Sequence, residues 1–295
     1  MNIVTSTEHV GIQWGDIFFI LDTIKAAGYK VVDFNFNNYC YPGLKFGDTE
    51  FFSDDWKDWI KRIAKHCKAL DISFVQSHNL IFNYFENTDE SNLMNKMVDR
   101  AIEACGMLGI KETVVHPVAP PNGVRNIPAC LEMNAQYLRH CVEIGKKHGV
   151  QICSENMMST RNVDGSEYWR YCDNPADLIQ LVDAVTDVTI CFDAGHAHYM
   201  GEDIYETMLA YGDRISALHI HDNDQSSDQH LAMYSGTLDW NAFMRAFVKI
   251  KYAGNFTLET FQSVNRMPME LKVGMLREIR EISEYMLKQI EALRK

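Results

Sequence analysis

Seven short segments of this 295-residue chain carry side chains of the types that can ligate divalent metals. They are Ser77–Asn79 (SHN), Val114–Pro117 (VVHP), Cys153–Asn156 (CSEN), Cys191–His198 (CFDAGHAH), Leu218–Asp224 (LHIHDND), Ser227–His230 (SDQH) and Thr257–Phe261 (TLETF). Seven of the eleven histidines fall in them, with Glu155, Asp193, Asp228 and Glu259 alongside. Glu155 follows the run QICS and Glu259 follows FTL. A carboxylate at the end of an apolar strand is costly to bury unless it is paired or metal-bound. Asp193 and His196 span a DxxH turn that can aim both side chains into one pocket, and His219 and His221, two apart, share one face of a strand. Taken singly, each has an ordinary reading: a salt bridge for the glutamates, a hydrogen-bonded core histidine, a solvated loop for Asp228 and His230. Taken jointly, they point to a divalent-metal site, and a metal with two carboxylates is sufficient for sugar chemistry.

Something must bring these segments together. Strand-like runs occur at Asn2–Thr5, Lys30–Asn35, Ser73–Gln76, Glu112–His116, Gln151–Ser154, Thr189–Phe192, Ser216–His219 and Asn255–Glu259. Helical periodicity fills Asp54–Leu70, Ser91–Leu108, Ile127–His148, Pro175–Val185, Ile204–Tyr211, Trp240–Ile250 and Met267–Leu293. Ser53 before two aspartates, and Asn174-Pro175, read as helix starts. Gly28, Gly109, Gly149 and Gly254 follow helical runs and precede strands, where a left-handed residue is wanted. Eight βα units predict an α/β fold, a (β/α)8 TIM barrel forming a single domain over residues 1–295. In such a barrel the strand C-termini converge on one face, so the seven segments can meet. The segment Asn37–Phe52 reads as a long loop over the mouth; its Tyr39, Tyr41, Phe46, Phe51 and Phe52 either pack the loop, the preferred reading, or stack on a ligand.

Composition narrows the class. A hydrophobic fraction of 46% supports a large core, and a net charge of −12 argues against nucleic acid as partner. The eight cysteines contain no CxxC pair and are expected to be reduced and mostly buried. No secretory pattern or long apolar run is present, so a cytoplasmic, non-membrane protein is the expectation. Neither GxGxxG nor a Walker sequence suggests nucleotide binding.

The series DxxH…HxxD…LET resembles that of the xylose-isomerase-like TIM barrels, from the second strand through TLETF. This superfamily holds sugar-phosphate isomerases and epimerases, ketose 3-epimerases, inosose-processing enzymes and endonuclease IV. The resemblance implies a divalent-metal-dependent sugar or sugar-phosphate isomerase/epimerase, with a metal (Mn, Mg or Co, with Zn as an alternative) held by Glu155, Asp193, His219 and Glu259. Glu155 and Glu259 would be the catalytic acid/base pair, moving a proton through a metal-stabilised enediolate. His196 would touch substrate, and His221 stands where relatives carry Lys or Asn, close enough to help substrate or metal. Trp14 and Asn35, with Asp33, near the first two strands, are expected to contact sugar hydroxyls. Relatives of this type are often dimers or tetramers, so a homo-oligomer is open.

The sequence also fills the extra positions of endonuclease IV-like members, which hold up to three zinc ions: His78, His116, His196, Asp228 and His230. A multi-zinc phosphoesterase is therefore the alternative reading, with an inosose-type dehydratase beside it. Against the nuclease, its ESEDTAG-like and HxNDS-like stretches are replaced here by CSENMMST and HIHDND, and DQHLAMYSGTLDW resembles the DxH…G…DW loop of sugar isomerase relatives. His198 is expected to serve the loop, and His66, His140 and His148 the helix surfaces.

Overall fold

A computed structural model describes residues 1–11, 16–121, 124–161, 165 and 167–295. Its strands are β1 Ile3–Ser6, β2 Val31–Asn35, β3 Ser73–His78, β4 Glu112–Val115, β5 Gln151–Glu155, β6 Thr160–Arg161, β7 Glu167–Tyr168, β8 Val188–Asp193, β9 Ile215–His219 and β10 Phe256–Thr257. Strands β6 and β7 form a small antiparallel hairpin. The other eight are parallel neighbours in the order β10-β1-β2-β3-β4-β5-β8-β9. Ile220 closes the ring: its N–H donates to the Thr257 carbonyl (2.9 Å) and its carbonyl accepts from the Glu259 N–H (3.0 Å). The result is the single (β/α)8 barrel that the alternation of runs predicts.

Ten helices occur among the described residues: α1 Ile17–Ala26, α2 Trp56–Leu70, α3 Asp89–Leu108, α4 Ile127–His148, α5 Pro175–Asp183, α6 Ala194–Tyr199, α7 Ile204–Tyr211, α8 Trp240–Lys249, α9 Phe261–Asn265 and α10 Met269–Leu293. Their ends follow local chemistry. The Asn174 side chain caps α5 by accepting from the Asp177 N–H, with Pro175 in the first turn. Three expectations need correction. Helix α1 has no counterpart in the sequence reading, because its run IFFILDTIKA is apolar on most faces and hides the period. Ser53 is not the cap of α2; that position is Asp55, and Ser53 Oγ accepts from the Asp55 N–H (3.2 Å) in the preceding turn. Gly28, Gly109 and Gly149 do adopt positive φ, but Gly254 does not, and Lys251 (φ 57°) is the left-handed residue after α8. Gly254 is needed for closeness instead: a Cβ there would lie 2.4 Å from the Tyr252 hydroxyl.

The pleat has period two, so alternate residues face the helices and the barrel interior. Val32, Phe34, Ile152, Ile190, Phe192, Leu218 and Phe256 face outward into the main core. Inside, the small side chains of Val114, Cys153, Cys191 and Ala217 form a separate buried cluster. Gln76 spans the interior, accepting from Thr257 Oγ1 (3.0 Å) and donating to the Leu218 carbonyl (3.4 Å). Two residues further along each strand, the same inward parity reaches His78, His116, Glu155, Asp193, His219 and Glu259. All eight cysteines are buried free thiols. No helix among the described residues is long and apolar enough to cross a membrane.

Candidate metal centre

The six inward-facing residues meet at the C-terminal mouth, joined by four from the β8–α6 turn and the β9–α8 loop. Glu155, Asp193, His219 and Glu259 bring one ligand atom each within 4.8 Å of one another. The Nδ1 atom of His219 lies 2.6 Å from Glu155 Oε1, 3.4 Å from Glu259 Oε1 and 4.0 Å from Asp193 Oδ2. A second group joins His78 and His116 to the far side of Glu155. His116 Nε2 stands 2.8 Å from Glu155 Oε2, and the two Nε2 atoms are 2.9 Å apart. A third group holds His196, His221, Asp228 and His230. Asp228 Oδ2 is 2.8 Å from His230 Nε2 and 3.7 Å from His196 Nε2.

These residues fit a cation on two observations. Three of the histidines turn Nδ1 to a backbone carbonyl: His78 to Asn79 (2.9 Å), His196 to Asn156 (2.9 Å) and His230 to Glu259 (2.8 Å). A carbonyl only accepts, so Nδ1 carries the proton and Nε2 offers its lone pair to the cluster, the arrangement typical of metal-ligating imidazoles. In addition, Asp228 Oδ1 is buried with no hydrogen-bond partner among the described residues, and Glu155 Oε2 is buried with only the His116 ring nitrogen against it, at 2.8 Å. Buried carboxylate oxygens are costly unless satisfied, and a cation would satisfy both.

Electrostatics in the bare protein are uneven. Burial pushes Glu155 upward, but His219 and His116 hold it well below the usual carboxylate range. Glu259 goes the other way: burial and the negative charges of Glu155, Asp193 and Glu8 raise it well above that range, although His219 opposes them. Asp228 is held far down by His196 and His230 against its burial. His196 rises to about 10 against burial because Asp193, Asp228 and Glu155 surround it, whereas burial and His116 push His78 down to about 3. A divalent ion among these groups favours the ionised carboxylates and neutral imidazoles, and so inverts several of these shifts.

Local backbone is built around the site. Asp193 caps α6, its Oδ1 accepting from the His196 N–H (2.6 Å), so the DxxH turn is the first turn of a helix. Gly195 has no side chain because the His221 ring occupies the space: a Cβ would sit 1.9 Å from His221 Cε1. His230 has φ 44° and is stacked between His221 (3.9 Å) and Phe261 (4.0 Å). Strained residues of this kind collect at functional sites. Asp222 holds the loop that carries Asp228 and His230, accepting from the N–H of Asn223 (2.9 Å) and of Leu238 (3.2 Å), and from Trp240 Nε1 (3.0 Å). The sequence reading missed that role; the signal was the LDW triplet after the loop.

Above the candidate ligands opens a cavity of about 480 Å³ whose walls include Phe82, Met157, Met158, Trp169 and Phe261. His78, His116, Glu155, His196, Asp228, His230 and Glu259 line it. Asn35 does too, donating from Nδ2 to Glu8 Oε2. Glu8 was not anticipated; it is pushed up to about 7 by burial and by Asp33. Asp33 itself is buried and does not line the cavity, and neither does fully buried His221, whose Nε2 faces Asp193 at 3.1 Å. Trp14 lies outside the described residues. The loop aromatics stay out of the cavity: Phe51 and Phe52 are buried in the core, while Tyr41 and Phe46 are exposed. His198 bonds Thr237 Oγ1 (2.9 Å), and His66 and His140 pair with Asp22 and Asp99 on the surface.

The sequence model of the xylose isomerase-like TIM barrel family matches residues 21–285. The chain belongs to that family. Among curated relatives of this barrel, it is 30% identical over 164 residues to an uncharacterized protein of Methanocaldococcus jannaschii. That match covers 54% of each chain, so the chain spans about half the length of this relative. It is 23% identical over 234 residues to a probable endonuclease 4 of Acholeplasma laidlawii, covering 72% of this chain and 75% of the other. In three dimensions it is similar to a D-tagatose 3-epimerase-like protein, with a TM-score of 0.74, 20% identity and 99% of each chain covered. At that identity the likeness is one of barrel fold.

Proposed function

We propose that this chain is a divalent-metal-dependent isomerase or epimerase of small sugars, with Glu155 and Glu259 as its acid/base pair. One observation carries the reading: in a three-carboxylate, one-histidine set, Glu155 and Glu259 line the floor of a walled cavity of about 480 Å³, with Asp193 and His219 buried directly behind them. A cavity of that size suits a small ligand and encloses it, whereas duplex nucleic acid needs an open basic groove. The fold likeness to a D-tagatose 3-epimerase-like protein is consistent with it.

The ligand set is mostly hard oxygen, which suits Mn²⁺, Mg²⁺ or Co²⁺ as well as Zn²⁺. When bound, such an ion would polarise the sugar's carbonyl and adjacent hydroxyl and stabilise negative charge as it develops there. The chain's own task is to move one proton. A carboxylate oxygen of one glutamate takes the proton from the carbon beside the carbonyl; for epimerisation the other glutamate returns one to the opposite face. Asp193 and His219 hold the floor, and His196, fixed by its bond to Asn156, offers Nε2 to a sugar hydroxyl. The apolar wall of Phe82, Met157, Met158 and Trp169 excludes water from the reacting carbon.

A second reading has its own support. The His78–His116–Glu155 and His196–Asp228–His230 groups flank the central set, with the Nε2 atoms of His78, His196 and His230 turned toward it, which is what a multi-zinc phosphoesterase requires. The identity to a probable endonuclease 4 points the same way. Here fully buried His221 would be a ligand to the third group and not a substrate contact. Elemental analysis of protein purified without a metal-affinity tag separates the two, together with a ketose panel followed by mass and stereochemistry. About one Mn²⁺, Mg²⁺ or Co²⁺ per chain with ketose turnover supports the isomerase; two or three Zn²⁺ per chain with phosphoester cleavage overturns it. A product lighter by one water would indicate a dehydratase.

A further inference from the structure

Arg170 is the one arginine or lysine that lines the cavity among the described residues, and nothing in the proton transfer uses it. Arg170 lies just after the β6–β7 hairpin in the long connection between β5 and α5. Its Nη1 reaches only the Met158 sulfur at 3.7 Å, a weak acceptor, and its guanidinium lies 5.4 Å over the Tyr168 ring. No described carboxylate pairs with it, in contrast to Arg214, which grips Asp183 at 2.7 and 2.8 Å, and to Arg125, 3.8 Å from Asp173. A guanidinium has five donors in a planar fork that matches phosphate and carboxylate oxygens, so most of its capacity is unused.

Its base is rigid. The Arg170 N–H donates to Ser159 Oγ (2.9 Å), and Ser159 Oγ donates to the buried Asp173 carboxylate (2.6 Å). The Met157 N–H ties the neighbouring segment to the Cys172 carbonyl (2.9 Å). Beside it, Trp169 lines the same wall, and its indole N–H has no hydrogen-bond partner among the described residues. A cation on an anchored stretch of backbone and a spare donor therefore share one wall, in a protein of net charge −12 whose cavity floor is crowded with carboxylates. A neutral sugar held by its carbonyl at the floor gives this arginine little to do. An anionic substituent at the sugar's other end does.

We propose that Arg170 receives a phosphate or carboxylate group carried by the sugar at the end remote from its carbonyl. This rests on the isomerase/epimerase reading for where the carbonyl sits, but its test reads binding and not turnover. Metal-loaded protein is titrated by calorimetry with two matched pairs: D-fructose against D-fructose 6-phosphate, and D-glucose against D-glucuronate. The expected result is that an anionic member binds tighter than its neutral partner by roughly tenfold to a hundredfold, as charge-assisted hydrogen bonds allow. Arg170→Ala should erase that preference while the neutral sugar binds as before, and Arg170→Lys should retain part of it. Which pair shows the preference tells phosphate from carboxylate. No preference in either pair, or a preference that survives Arg170→Ala in protein of unchanged melting temperature and metal content, overturns the proposal. Because an anion can also meet the metal, only the part lost in Arg170→Ala counts. An Arg170-dependent preference without turnover of any ketose would sink the isomerase reading and leave this one standing; turnover without the preference would do the reverse.

Discussion

Nδ1 of His219 stands 2.6 Å from Oε1 of Glu155, although 64 residues separate them and β8 lies between their strands. The contact exists because β5, β8 and β9 are parallel neighbours in a curved sheet, and inward parity brings both side chains to the same end. It also makes the bare site a proton store. Burial disfavours a charged His219, yet Cys191, Glu155 and Glu259 together raise it well above the ordinary histidine range. A metal must displace that proton to use the nitrogen. Metal affinity should therefore fall as pH falls, by up to about tenfold per pH unit for each proton displaced. Competition with a chromogenic chelator across a pH series measures this, and a flat profile would count against His219 as ligand.

Replacing either carboxyl of the proposed acid/base pair removes a group that, on that reading, exchanges a proton with carbon. Glu155→Gln and Glu259→Gln are each expected to lower kcat by about a hundredfold to ten-thousandfold on whichever ketose the wild type turns over. Wild-type rates in both variants would mean the assignment is wrong.

The peripheral ligands answer a different question. If the central four residues hold the working ion, His230→Ala should keep about one metal per chain and most of the turnover. Loss of a zinc equivalent together with nearly all activity would instead mean that Asp228, His196 and His230 form a working site of their own.

Gly195 and Gly274 make a matched pair for stability. At Gly195 a methyl group would collide with the His221 ring at 1.9 Å, whereas at Gly274, on the exposed side of α10, nothing lies within 4 Å. Gly195→Ala should cost about 1–3 kcal/mol or more and loosen the third metal group. Gly274→Ala should stabilise α10 by about 0.5–1 kcal/mol. Urea unfolding of both variants tests the contrast.

Glu112 lies at the opposite end of the barrel from the candidate metal ligands. Burial pushes it up to about 7 against a hydrogen bond from Ser216. A carboxyl raised in the folded state adds stability that is full below its ordinary value and is lost as pH rises through about 7. Glu112→Gln should therefore leave the melting temperature nearly unchanged in mild acid and raise it in mild alkali. An equal effect at both would show that the residue acts by packing alone.

Much of this architecture was legible in the chain. Short β-branched runs separated by amphipathic stretches and helix-ending residues are local features, set by propensity and period, so the eight barrel strands emerge within a residue or two of their observed ends. Helix α1 escaped because Phe18 and Phe19 place apolar side chains on its outer side as well, which erases the polar stripe that reveals a period. The β6–β7 hairpin escaped because two-residue strands leave no pattern at all.

The candidate ligands were legible for a related reason. Buried carboxylates after apolar strands are chemically anomalous wherever the chain later puts them, so Glu155 and Glu259 stand out before any fold is known. Their grouping was not. That Glu155 faces His219 with one oxygen and His116 with the other follows from sheet curvature and strand order, which no local window contains. Only the folded chain decided that His221 is sealed behind Gly195, that Asp222 anchors the loop carrying His230, and that Glu8 and Arg170 look into the cavity. Residue type and spacing determine which chemistry is available; closure of the barrel determines which groups share one low-dielectric space, and that is a property of distances across strands.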